Sequence, residues 1–155
     1  MNYYSLMKKY KEEMIESLKA FLAVPSIYSK ETKTKEMPFG KDVDNALKHI
    51  AKLGEKLGFS VDYCDGYATE LAIGEGKKMI GIFAHADVVP TTGTWTHGPF
   101  EPVIEKGNIY ARGSSDDKGP LIAALYATKA LFDKGLLNGY RVRIVVGGDE
   151  ERGSK

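Results

Sequence analysis

The stretch Lys78-Met79-Ile80-Gly81-Ile82-Phe83-Ala84-His85-Ala86-Asp87 decides the fold. After Lys78 it is apolar almost throughout as far as Ala84, the composition of a strand covered on both faces. His85 and Asp87, both metal-ligand types, follow that run without a break. In a parallel α/β sheet, ligands bind beyond the carboxyl ends of the strands. One segment therefore proposes both a central strand and the edge of a site.

Working outward, the neighbours of this strand alternate between helical and extended patterns. Met7, Tyr10, Met14, Leu18, Phe21 and Leu22 recur at three- and four-residue steps, which predicts one helix ended by Pro25. Residues 26–40 are polar, hold Pro38 and Gly40, and read as a loop. A second helix is expected over 41–57, burying Val43, Ala46, Leu47, Ile50, Leu53 and Leu57, with Gly58 stopping it. Strands are expected over 59–63, 70–73, 78–84, 108–111 and 141–146, with a further short one inside 100–104. A third helix fills 118–134, with Leu121, Ala124, Leu125, Thr128, Leu131 and Phe132 on one face. The interleaving predicts a layered α/β domain with a largely parallel sheet, one domain over 1–155. The chain stops at Lys155, shortly after the last strand. The expectation is a truncated domain whose strand 141–146 lacks covering neighbours.

Composition excludes several classes. With 155 residues, 43% hydrophobic and 28% charged, the chain can bury one core. A formal net charge of +1 gives no footprint for nucleic acid or an anionic membrane. Cys64 is the only cysteine, so no internal disulfide forms and a reducing cytoplasm is the expected compartment. No run approaches the roughly 20 apolar residues of a membrane span. Cys64 has no basic neighbour to activate it. Ser114-Ser115 lacks the flanking pattern of a nucleophile elbow. His49, beside the buried stripe of its helix, reads as a solvated surface residue, and His97 lies in a loop where it could approach substrate.

Three clusters carry the chemistry: His85-Ala86-Asp87 after a strand, Asp116-Asp117 before a helix, and Asp149-Glu150-Glu151 after a strand. Each has an ordinary explanation by itself: a core histidine, a helix cap, a solvated acidic loop. Together, at the ends of elements, they could converge on one crevice. Imidazole and carboxylates bind zinc, and one carboxylate can bridge two ions. Two ions about 3.5–4 Å apart can hold a hydroxide and polarise a carbonyl, and a free carboxylate beside them can act as base and then acid.

His85-Ala86-Asp87-Val88-Val89-Pro90 resembles the first signature of the M20 metallopeptidases. Tyr110-Ala111-Arg112-Gly113-Ser114-Ser115-Asp116-Asp117-Lys118-Gly119-Pro120 resembles the second, and Val146-Gly147-Gly148-Asp149-Glu150-Glu151-Arg152-Gly153-Ser154 the third. Met37-Pro38-Phe39-Gly40, Trp95, Pro99-Phe100 and Pro120 resemble the PepV-like dipeptidases within that family. The resemblance implies a three-layer α/β/α catalytic domain with a mixed, largely parallel sheet. It implies that His85 and Glu151 each bind one divalent ion and that Asp116 bridges both. It makes Glu150 the general base and gives Asp87 the task of orienting the His85 ring. It also implies a cis peptide between Asp116 and Asp117. Zinc is the default metal, with manganese or cobalt as alternatives, and the substrate is a small peptide.

The family site uses five protein ligands, of which this sequence offers three. A lid domain follows this region in the family and is absent here. Hydrolysis of dipeptides is therefore expected of the parent enzyme and not of the 155-residue chain alone. An N-acyl amino acid deacylase or a succinyl-diaminopimelate desuccinylase of the same superfamily is the alternative within the enzyme class. A non-catalytic truncated protein is the alternative outside it.

Overall fold

In the computed structural model, residues 2–154 are described. The expected first helix is two: α1 (Tyr3–Lys8) and α2 (Lys11–Leu22). A turn at Lys9–Tyr10 separates them and lets the Tyr10 side chain turn inward. There its hydroxyl donates to Asp133 at 2.5 Å and its ring meets Tyr126 edge-on. The apolar stripe is as expected, with Phe21 and Leu22 fully buried and Met14 and Leu18 packed against the core.

After the 26–40 loop comes α3 (Lys41–Lys56), and Val43, Ala46, Leu47, Ile50 and Leu53 form its buried face as the spacing predicts. Gly40 precedes it at φ 94°, where a Cβ would lie 2.6 Å from the Ser29 carbonyl oxygen, so the entry to this helix requires glycine. Gly54 lets α3 approach the sheet, since a Cβ there would meet Leu71 at 2.4 Å. His49 is not a solvated residue. It is half-buried and stacks on Phe21, with ring centroids 5.5 Å apart.

The strands are β1 (Ser60–Asp62), β2 (Ala68–Ile73), β3 (Lys78–His85), β4 (Val103–Glu105), β5 (Asn108–Tyr110) and β6 (Tyr140–Gly147). β4 and β5 form a separate antiparallel hairpin. The others make one sheet in the order β1-β2-β6-β3. It is mixed, as expected, but parallel pairing is confined to β3 with β6; β1–β2 and β2–β6 are antiparallel. The last strand therefore lies inside the sheet, and β3 takes the edge among the described residues. This reverses the expectation that strand 141–146 would be the uncovered one and that strand 78–84 would be covered on both faces.

Register explains which side is covered. Thr69, Leu71 and Ile73 on β2 pair with Val146, Ile144 and Val142 on β6, and all six are buried. Ile82 and Ala84 on β3 continue that face. Helices α3 and α4 (Lys118–Asp133) pack on it, and α2 packs against those two helices. The opposite face carries Met79 and Phe83, which are exposed, and the Arg143–Glu70 ion pair at 2.6 Å. Of the three layers expected, the described residues build two.

Helix α4 buries a broader arc than periodicity suggests. Ile122, Tyr126 and Ala130 are buried beside Leu121, Leu125 and Thr128, whereas Phe132 is exposed. The arc widens because α4 touches α2 and α1 as well as the sheet. The Tyr126 hydroxyl lies 2.7 Å from the Ser17 hydroxyl on α2.

Candidate active site

The parallel pair β3–β6 delivers two of the three clusters to one place. His85, the last residue of β3, sits opposite Gly147, the last of β6. The chain leaving β3 stays attached: Ala86 N–H donates to the Gly147 carbonyl at 2.8 Å, and Val88 N–H to the Ser26 carbonyl at 3.1 Å. The chain leaving β6 makes a short 3-10 turn over Glu150–Arg152. The third cluster arrives from the loop entering α4. Fully buried Lys118, on the first residue of that helix, donates to the Val24 and Phe21 carbonyls at 2.6 and 3.2 Å and ties the loop to the end of α2. A cation meeting the last carbonyls of a helix is electrostatically favoured. The bond between Asp116 and Asp117 is cis, the geometry implied by the resemblance.

His85, Asp87, Asp116 and Glu150 come together. His85 Nδ1 lies 3.0 Å from the Asp87 carbonyl oxygen and 3.4 Å from its Oδ1. His85 Nε2 faces Asp116 Oδ1 at 3.1 Å and Glu150 Oε2 at 3.7 Å. The imidazole is nearly buried at 7% exposure, while Asp116 and Glu150 side chains are 76% and 59% exposed. The histidine is thus fixed and the carboxylates face an open crevice. Hydrogen bonding to the Asp87 carboxylate, helped by Asp116 and opposed by burial, raises the His85 pKa to about 9. A cation binding at Nε2 must displace that proton.

Glu151 joins differently, through its backbone. Its N–H donates to Asp87 Oδ2 at 3.0 Å, while Glu150 N–H donates to Asp87 Oδ1 at 3.1 Å. Asp117, to which sequence reasoning gave no task, accepts from His85 N–H at 3.2 Å and so closes the end of β3. Its place beside Asp116 was the available signal. His97 lies 3.3 Å from Glu105 on the hairpin. With Trp95 and Tyr110 it lines a hollow that reaches Ser114 and Ser115, next to Asp116.

The fit to a metal can be tested on these donors. The ring nitrogen left free by Asp87 points at a carboxylate oxygen, which suits one ion shared by His85 and Asp116. Among the described residues no group of three or more such side chains is arranged to hold an ion. The centre is a histidine and an aspartate of ligand type with a further carboxylate beside them, not a closed shell.

The sequence model of peptidase family M20/M25/M40 matches residues 81–155, the span that carries all these groups. The chain belongs to the M20 peptidases. This M20 chain is 42% identical over 151 residues to "Putative dipeptidase YtjP" of Bacillus subtilis, covering 97% of itself and 33% of that protein. Among solved structures it is similar to an M20 family metallo-carboxypeptidase, Sso-CP2, from Sulfolobus solfataricus. That match has 33% identity and a TM-score of 0.76, and covers 92% of this chain and 32% of the other. The di-peptidase Dug1p from Saccharomyces cerevisiae shares the fold at 22% identity and a TM-score of 0.82, over 97% of this chain and 35% of that one. The M20 chain therefore spans about a third of the length of these relatives. No helix among its described residues is long and apolar enough to cross a membrane.

Proposed function

We propose that the chain supplies the histidine–carboxylate centre of a cytoplasmic, metal-dependent dipeptidase. The observation that carries this reading is the meeting of His85 Nε2, Asp116 Oδ1 and Glu150 Oε2 at the ends of β3 and β6. Relatives named as dipeptidases support the substrate class, a small peptide.

In this reading His85 and Asp116 hold one divalent ion, and Asp116 and Glu151 a second. Zinc is the default for such a donor set, with manganese or cobalt as alternatives. The ions, when bound, would polarise the peptide carbonyl and make a water more acidic. Glu150 is the general base. Its carboxylate is exposed to the crevice, beside the imidazole but not locked to it, so it can accept a water proton and return it to the leaving amine. Asp87 keeps the His85 ring turned so that Nε2 faces the crevice.

The test uses a polypeptide that carries this sequence at the length of its relatives. Chelation should abolish dipeptide hydrolysis, and zinc or manganese should restore it. Glu150→Gln should retain the metal and lower turnover by about 10²–10⁴-fold. Near-wild-type turnover with metal bound would remove Glu150 from the reaction.

A further inference from the structure

The side chain of Asp87 is 4% exposed, and the shortest bonds to each of its oxygens come from the chain, its contact with the imidazole being longer. Oδ1 accepts from Glu150 N–H at 3.1 Å and Oδ2 from Glu151 N–H at 3.0 Å, whereas the nearest approach of the carboxylate to the His85 ring is 3.4 Å. The ring is already held by a closer group, the Asp87 backbone carbonyl at 3.0 Å. We infer that Asp87 is a positioning residue for Glu150 and Glu151: its carboxylate grips two successive amides and so sets the register of the turn that presents both side chains.

The chemistry favours this division of labour. The turn begins a 3-10 segment of three residues, too short to hold itself by internal bonding. The first amides of such a turn have no partner within it, and a carboxylate accepting two N–H groups makes two charge-assisted bonds. Asp87 is two residues beyond His85 on the chain leaving β3, and the turn leaves β6, its parallel neighbour. One carboxylate thereby ties the ends of the two strands together, and the spacing between His85 and the Glu150–Glu151 pair depends on it. An asparagine at 87 keeps the shape but offers one acceptor and turns an NH2 group towards the second amide.

The consequence for metal binding rests on the dipeptidase reading; the grip itself does not. In the isotope-labelled 155-residue chain, hydrogen-bond scalar couplings should connect the Glu150 and Glu151 amide nitrogens to Asp87 Cγ. Asp87→Asn should remove at least one coupling and speed exchange of the affected amide by about 10–100-fold, the loss expected for a charge-assisted bond. His85→Ala should leave both couplings in place. In the polypeptide that carries this sequence at the length of its relatives, zinc affinity should fall by about 10–100-fold in Asp87→Asn, as for other groups that orient ligands. Missing couplings in the wild-type chain, or amides indifferent to Asp87→Asn, would overturn the inference without reference to any variant's activity. Couplings lost with zinc affinity unchanged would overturn the positioning role. A wild-type polypeptide of that length that binds no zinc would count against the dipeptidase reading and leave the amide data to decide the grip.

Discussion

The two faces of the sheet both carry large apolar side chains, and those side chains have opposite fates. On one, Leu71 of β2, Ile144 of β6 and Ile82 of β3 stand side by side beneath the helices, the first two at 0% exposure. On the other, the strand residues one step away include Phe83 at 82% exposure and Met79 at 54%. Side chains alternate across a strand, so Met79, Phe83 and His85 share a face. Yet His85, the polar one, is at 7%. Burial here follows what packs against a position, not how apolar the position is. His85 is enclosed because the 87, 117 and 147 regions close over the end of β3, whereas nothing among the described residues lies over Phe83.

The comparison breaks most sharply at Ile144. Ile144→Ala removes atoms at 0% exposure from the middle of the covered face, between Leu71 and Ile82, so the cavity has little room to collapse. The expected cost is about 2–5 kcal/mol, read from the shift of the denaturant midpoint at unchanged slope. A loss below about 1 kcal/mol, within the range of ordinary surface changes, would mean that this face is as loosely covered as the other.

The helical layer gives a smaller effect through His49. Burial, with Lys118 and Lys52 nearby, lowers its pKa below the ordinary 6.5. The folded state then binds this proton less readily than the unfolded state. Stability from this group is present above the unfolded value and is lost as pH falls through the folded one. Wild-type stability should therefore drop on acidification below about 6.5, and His49→Gln should flatten that part of the profile. His85, with its raised pKa, contributes stability that is lost in the opposite direction, as pH rises towards 9. The two residues are separated by taking the difference between wild type and variant. Identical slopes between pH 5 and 7, the range in which an ordinary histidine titrates, would show that His49 is solvated in both states.

Much of this was legible in the sequence, and the failures share a cause. Helix α3 was readable residue by residue because a single amphipathic face reports its own burial, and Gly40 and Gly58 mark its ends. The nearness of the three clusters was readable from element ends, but not which glutamate faces His85: the resemblance pairs Glu151 with the metals, and the carboxylate beside Nε2 is that of Glu150. The edge position of β3 was not readable: an apolar run shows that a strand can be covered, while strand order depends on pairings between residues some 60 positions apart. The break at Lys9–Tyr10 was hidden for a similar reason, since Tyr10 turns inward to meet Asp133, far along the chain. The place of Glu151 was legible only as a member of an acidic triplet. That its amide is bound to Asp87 is backbone information, which side-chain patterns do not carry.

The smallest effect on monomer stability, and the most informative about the open face, is expected at Phe83. At 82% exposure its ring buries little, so Phe83→Lys should change stability in dilute solution by no more than about 0.5 kcal/mol, the usual range for surface sites. Association is a different matter. Among the described residues β3 has one ladder partner, β6, and its other edge is an unpaired strand edge without proline as far as His85, whose N–H is taken by Asp117. An apolar, unguarded edge is a template for pairing with another chain, and a lysine on it is a common guard. The wild-type chain should therefore show a concentration-dependent rise in mass by sedimentation, and Phe83→Lys should reduce it while leaving the unfolding midpoint of the dilute protein unchanged. Loss of more than about 1 kcal/mol in dilute solution, beyond that surface range, would show that Phe83 is covered within the monomer. The contrast between the two faces would then disappear. An unchanged association in the variant would place the contact elsewhere and leave β3 a passive edge.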